Sequence, residues 1–328
     1  MSSLSLNRHL RQHLFSGVCL FLLLGFALMA ASCGGGGSTS ATGGTTPPPP
    51  PTTGVVQPVS HVVIVMEENS SFESVIGSSA MPFLNSLATK YGLATQYFAN
   101  AHPSIGNYFM LTTGELVSSD DQFAGTVSAD NLVRQFKTDG KTWKGYFEGI
   151  PSAGYLGPDT NSYLKHHNPF SYFSDVVNDP AQAANIVPFS QFASDVSAGT
   201  LPNFSFVVPN SRNDAHDCPG GVPTCTDAER LAPADAWLQT NIGPLISNTT
   251  AMADTLLVIA FDESSLTDRV NGGGHIAVVL ISPKAKQAFQ GTGSYQHQNL
   301  LRTMGNALQL TSIPGQGSSA APMLEFFP

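Results

Sequence analysis

The run His61-Val62-Val63-Ile64-Val65-Met66 constrains this chain more than any other feature. An unbroken β-branched stretch with no polar alternation belongs to a strand covered on both faces. Thr255 to Phe261 and Ile276 to Ser282 repeat the pattern, and Thr142 to Phe147 and Phe204 to Val208 read as extended. Between these runs the spacing turns helical, at Pro82 to Tyr91, 105–113, 129–138, 228–247 and Gln298 to Leu310. Buried strands alternating with helices predict an α/β fold, a largely parallel central sheet flanked by helices on both sides. Residues 148–190, rich in Pro, Asn, Gly and aromatics, predict a long excursion over one end of that sheet.

Charge narrows the partners. Charged side chains make up 11% of the 328 residues and the formal net charge is −9, with no basic cluster. Nucleic-acid affinity rests largely on Lys and Arg neutralising phosphates, so no nucleic-acid binding surface is expected.

Residues 1–32 read as an export signal. Arg8 and Arg11 precede an apolar segment from Leu14 to Ala31, and Met29-Ala30-Ala31-Ser32-Cys33 resembles a bacterial lipobox with Cys33 as the lipid attachment site. Ala30 stands where that motif usually has Leu, and an uncleaved signal anchor is the rival reading. Residues 33–54 form a Gly/Ser/Thr/Pro linker suited to holding a domain off a membrane. Residues 55–328 are then one catalytic domain, lipid-anchored in the cell envelope and facing the periplasm or the exterior. In an oxidising compartment Cys218 and Cys225 are expected to form a local disulfide; two metal thiolates are the alternative.

In open α/β sheets ligands bind beyond the carboxyl ends of the strands. The first strand ends in Glu67-Glu68-Asn69 and the strand from Leu256 ends in Asp262-Glu263. Carboxylates beside a carboxamide suit a hard or borderline divalent cation. Taken singly, either acid pair could equally be solvated strand-end charge. Ser104, in Ala101-His102-Pro103-Ser104-Ile105-Gly106-Asn107-Tyr108, sits where a loop enters a helix, a place that favours anions. Its bland alternative is a helix N-cap. No GxSxG elbow, Walker A loop or HExxH is present.

At these residues the chain resembles the phosphoesterase family of bacterial acid phosphatases and non-specific phospholipases C, related to the alkaline-phosphatase superfamily. His61 to Phe72 (HVVIVMEENSSF) is similar to the family's opening strand and E-N-x-S-F. Ala101 to Gly114 (AHPSIGNYFMLTTG) is similar to its nucleophile block, and Val207 to Asp217 and Leu256 to Glu263 follow in the family's order. The resemblance implies an alkaline-phosphatase-like fold and a metal-dependent phosphoric ester hydrolase, an acid phosphatase acting through phosphoserine. A phospholipase C-type phosphodiesterase is the alternative within that mechanism, and a non-catalytic surface binding lipoprotein the alternative outside it.

Position by position, the resemblance makes Glu68, Asn69, Asp262 and Glu263 ligands of one divalent ion, whether Ca, Mg, Mn or Zn. It makes Ser104 the nucleophile, sets Asn107 at a phosphoryl oxygen with Asp217 further out, and puts His102 and His216 around the phosphate. Either histidine could protonate the leaving alcohol. Gly106 departs from the family's Pro and Glu73 from its Asp. His275, just before a strand, is expected to line the site, His297 to cap the last helix or to pack, and the pair His166-His167 has no assigned place.

Overall fold

A computed structural model describes residues 51–328. The export signal, Cys33 and most of the linker lie outside the described residues. The sheet is built from β1 (His61–Glu67), β2 (Gly92–Ala94), β3 (Trp143–Phe147), β4 (Ile186–Pro188), β5 (Phe204–Val208), β6 (Thr255–Phe261), β7 (Val278–Ile281) and β8 (Phe289–Gly291). These eight strands lie in the order β4-β3-β5-β1-β6-β7-β2-β8. The most apolar strands sit in the middle: β1 pairs in parallel with β5 on one side and β6 on the other. Every residue of β6 is buried, as continuous apolar strands require when helices cover both faces.

One strand runs against the rest. β7 is antiparallel to both β6 and β2. An antiparallel neighbour needs no crossover helix, so the connection from β6 to β7 stays at the carboxyl edge of the sheet. That connection carries Asp262 to Ala277.

Of the helical segments, 228–247 differs most from its reading. It divides into a helix Asp227–Asn241 and a short one, Gly243–Ser247. Pro244 explains the break, because it has no N–H with which to continue the hydrogen-bond ladder of the first helix, and its fixed φ suits the start of the second. The first of these helices opens with a reciprocal cap between Thr226 and Glu229. Its Asp235 accepts from the backbone N–H groups of Phe83 and Leu84, which start the helix Pro82–Lys90. The excursion 148–190 leaves the carboxyl end of β3 and returns as the edge strand β4, parallel to it. Two turns of 3₁₀ helix lie between, Lys165–His167 and Pro169–Tyr172. A disulfide joins Cys218 to Cys225, with Cα atoms 5.7 Å apart. Among the described residues no helix is long and apolar enough to cross a membrane.

Candidate active site

Glu67 of β1 stands opposite Phe261 of β6, so the residues after each strand emerge side by side. The backbone N–H of Asn69 donates to Asp262 Oδ1 at 3.1 Å, and Asp262 N–H donates to the Glu67 carbonyl at 3.0 Å. Asn69 has a φ of 50°, a left-handed conformation that asparagine tolerates better than most residues and that turns the chain back over the sheet edge. Glu68 and Asp262 are buried beneath this turn.

Ser104 directly precedes the helix Ile105–Thr113 but does not cap it with its side chain. Its Oγ donates instead to Glu68 Oε2 at 3.1 Å. The capping role falls to Asp121, whose Oδ1 accepts from Ile105 N–H at 3.1 Å. The serine is thereby released from the helix and aimed at a carboxylate, which removes the bland reading of it.

Glu68 gathers further neighbours. Asn69 Nδ2 reaches Oε2 at 2.9 Å, Tyr108 Oη reaches Oε1 at 2.8 Å, and His167 Nε2 lies 3.1 Å from Oε1. Tyr108 and His167 stack with ring centres 5.1 Å apart. His167 also faces the buried Asp214, its Nδ1 3.7 Å from Oδ2. Burial pushes Glu68, Asp214 and Asp262 above the usual carboxylate range, and for Glu68 the Asp262 and Asp214 charges add to it. Burial also holds His167 well below the usual imidazole value, so it stays neutral and does not compensate them.

His167 and Asp214 are the residues that sequence reasoning missed. His167 lies in the irregular excursion, where no periodicity points at the site. Asp214 lies two residues before His216 in the segment Val207 to Asp217, and only its position beside Glu68 separates it from its neighbours. The Asp214 carbonyl accepts from Glu68 N–H at 2.7 Å, which ties that loop to the end of β1.

The remaining expected residues are arranged differently from the reading given by sequence. Glu263 turns away from Glu68: its Oε1 lies 3.0 Å from His102 Nδ1, and its Oε2 accepts from Asn107 Nδ2 at 3.3 Å. His102 Nε2 bonds to the Asp268 carbonyl at 2.8 Å, so both ring nitrogens face protein oxygens. The Glu263 carboxylate holds His102 above its ordinary value, against its burial. Asn107 is spent on the loop before it, accepting from the N–H groups of Asn100 and Ala101 and donating to the Ala101 carbonyl at 2.8 Å. It staples the loop that carries Ser104 rather than presenting a free amide to the cleft.

His216 lines a cleft of about 450 Å³ together with Asn69, Ser104, Asp121, Arg230 and Glu263. Its Nδ1 bonds to Asp217 Oδ1 at 2.9 Å. Asp217 would be raised by its partial burial, but bonds from Ser211 and His216 hold it low. His275 is placed elsewhere, pairing with Glu73 and stacking on Phe72. His297 is buried under the site, its Nε2 2.7 Å from the Asp262 carbonyl; burial pushes it down to about 4, so the neutral ring donates and fixes that backbone.

A divalent cation suits this donor set. Among the described residues no three His, Cys, Asp or Glu side chains already stand in a ligand arrangement. Yet Asp262 Oδ2 and Asp214 Oδ2 are buried without a hydrogen-bond donor, and both residues are close enough to Glu68 for their charges to act on it. Unpartnered buried carboxylate oxygens are costly unless a cation or a proton meets them.

The fold is shared with structures of low sequence identity. A protein of the alkaline phosphatase superfamily from Vibrio parahaemolyticus superposes with a TM-score of 0.55 at 16% identity, covering 78% of this chain and 70% of that one. The lipoteichoic acid synthase LtaP of Listeria monocytogenes gives 0.57 at 12% identity, covering 83% and 76%. At the sequence level, a phosphatidylinositol-3-phosphatase of Mycobacterium tuberculosis is 30% identical over 82% of this chain and 83% of that protein. A probable acid phosphatase of Kluyveromyces lactis is 29% identical over 74% of this chain, which spans 56% of that longer protein. The sequence profile of the phosphoesterase family matches residues 78–311, and with it the chain belongs to that family of phosphoric ester hydrolases.

Proposed function

We propose that the chain is a metal-dependent phosphomonoester hydrolase of acid phosphatase type, working through a phosphoserine at Ser104. The observation that carries this reading is the Ser104 hydroxyl, left free of its helix and bonded to Glu68 within the cleft. Glu68, Asn69, Asp262 and Asp214 would hold the cation, with Glu263 serving the His102 side instead. When bound there, a divalent cation polarises the phosphoryl oxygens and favours the serine alkoxide.

The chain's own residues supply the proton traffic. Ser104 Oγ attacks phosphorus while its proton leaves along the existing bond to Glu68. The bond from phosphorus to the leaving oxygen breaks, and the departing alcohol takes a proton from His216. Asp217 on Nδ1 orients the ring and leaves Nε2 as the nitrogen that can serve the leaving group. Water then attacks the phosphoserine and gives a proton to His216; the bond from phosphorus to Oγ breaks, Oγ recovers its proton from Glu68, and inorganic phosphate leaves. Relatives named as acid phosphatases and as a phosphatidylinositol-3-phosphatase support a phosphatase reading.

Ser104→Ala should lower p-nitrophenyl phosphate turnover by at least about a thousandfold, as loss of a covalent nucleophile does. Residual activity above about a hundredth of the parent would reject the nucleophile. Faster hydrolysis of bis-p-nitrophenyl phosphate than of the monoester would instead favour the phospholipase C-type reading, and phosphate binding with no turnover of either would favour a binding protein.

We further propose envelope attachment through Cys33, on the residues quoted above. Cys33→Ser should move the protein out of the membrane fraction or stall it as precursor; unchanged fractionation of that variant would reject lipidation.

A further inference from the structure

Acids wall the cleft over Ser104. Asp121 and Glu263 line it, and Glu68, Asp214 and Asp262 lie buried beside it. A phosphate ester brings more negative charge into this space. One lining side chain carries a permanent positive charge, Arg230.

Arg230 sits at the end of the first turn of the helix Asp227–Asn241, whose start is fixed by the cap between Thr226 and Glu229. Its Nη1 donates to the Ala215 carbonyl at 3.1 Å and its Nη2 to Asp227 Oδ1 at 2.7 Å. These contacts hold the guanidinium against the loop that ends in His216. A guanidinium has five N–H donors in a planar fork, so two bonds leave three to spare. The side chain is 19% exposed, which leaves it open to the cleft while shielding it from bulk water. A partly desolvated fork of this kind matches two phosphoryl oxygens at once, which a lysine ammonium does not.

We propose that Arg230 is a substrate-binding residue whose guanidinium takes non-bridging oxygens of the phosphoryl group. This inference deepens the phosphomonoesterase reading and rests on it. The competing role is a clip that secures Ala215 and touches no ligand. Asp227, 58% exposed, shares the guanidinium and should therefore weaken its hold on phosphate.

The test is calorimetric titration of inorganic phosphate into the metal-loaded Ser104→Ala protein, alone and combined with Arg230→Gln, Arg230→Lys or Asp227→Asn. Arg230→Gln should raise the phosphate Kd at least tenfold, Arg230→Lys should fall between, and Asp227→Asn should lower the Kd two- to threefold. A Kd within twofold of the parent in Arg230→Gln, whatever its melting temperature, overturns the proposal and leaves the clip. Should Arg230→Gln fail to fold, Asp227→Asn decides: tighter phosphate binding supports the proposal, and unchanged binding overturns it. Binding is read without a nucleophile, so failure of the phosphoserine reading shows separately, as turnover that survives Ser104→Ala.

Discussion

Three histidines come near Ser104, and their partners give them different work. His102 faces Glu263 through Nδ1 and bonds to the Asp268 carbonyl through Nε2, so it holds Glu263 in place. His167 is buried and neutral beside Glu68. His216 lines the cleft, with Asp217 orienting it through Nδ1. A general acid matters in proportion to how poor the leaving group is. His216→Gln should therefore slow hydrolysis of an alkyl phosphate by about 10²–10⁴-fold while slowing that of p-nitrophenyl phosphate far less. Equal losses on both substrates would show that His216 serves binding and not proton transfer.

At the scale of elements, the site depends on how the helix Ile105–Thr113 begins. Ser104 can reach Glu68 because Asp121, arriving from a later loop, satisfies Ile105 N–H in its place. Asp121→Ala removes a capping acceptor, which costs about 1 kcal/mol. For a domain of this size that lowers the melting temperature by about 2–4 °C. With the N–H unsatisfied, the Ser104 hydroxyl becomes the nearest replacement cap, so kcat should fall as well. A stability loss with kcat unchanged would show that the serine's aim does not depend on Asp121. The antiparallel β7 matters at the same scale, because it keeps the loop bearing Glu263 and Asp268 at the site edge.

For the whole molecule, the main electrostatic fact is a group of buried acids in a chain with few charges. Glu68, Asp214 and Asp262 all lie above their ordinary values because burial penalises the charged form, and Asp262 raises both of the others. In the metal-free protein each such acid keeps a proton that the unfolded chain has released. Folding stability then falls as pH rises above the ordinary carboxylate range of about 4. A bound cation replaces those protons and removes the slope. Exhaustively chelated protein should therefore melt at progressively lower temperature between about pH 5 and pH 8, and be inactive. Protein reloaded with its divalent ion should show a flat profile over the same span. A chelated protein that keeps full activity and a flat profile would exclude the metal.

Much of this was written locally in the chain. The β-branched runs of β1 and β6 specify the centre of the sheet, because strands covered on both faces admit no polar alternation. The acids after each strand mark the carboxyl edge where ligands gather, and the motif around Ser104 marks the loop that meets them. What the sequence could not express was which side chain faces which. Glu263 and Asp262 are consecutive, yet one turns to His102 and the other lies beside Glu68, a division set by packing around the loop. Asn107 matches its motif and is nevertheless consumed by the backbone of Asn100 and Ala101. His167 comes from an irregular segment 99 positions from Glu68, and Asp121 caps a helix that began 16 residues earlier. Periodicity and motif spacing report on neighbours along the chain. Contacts between distant loops form only once the sheet has fixed where those loops return, so the tertiary structure alone decided them.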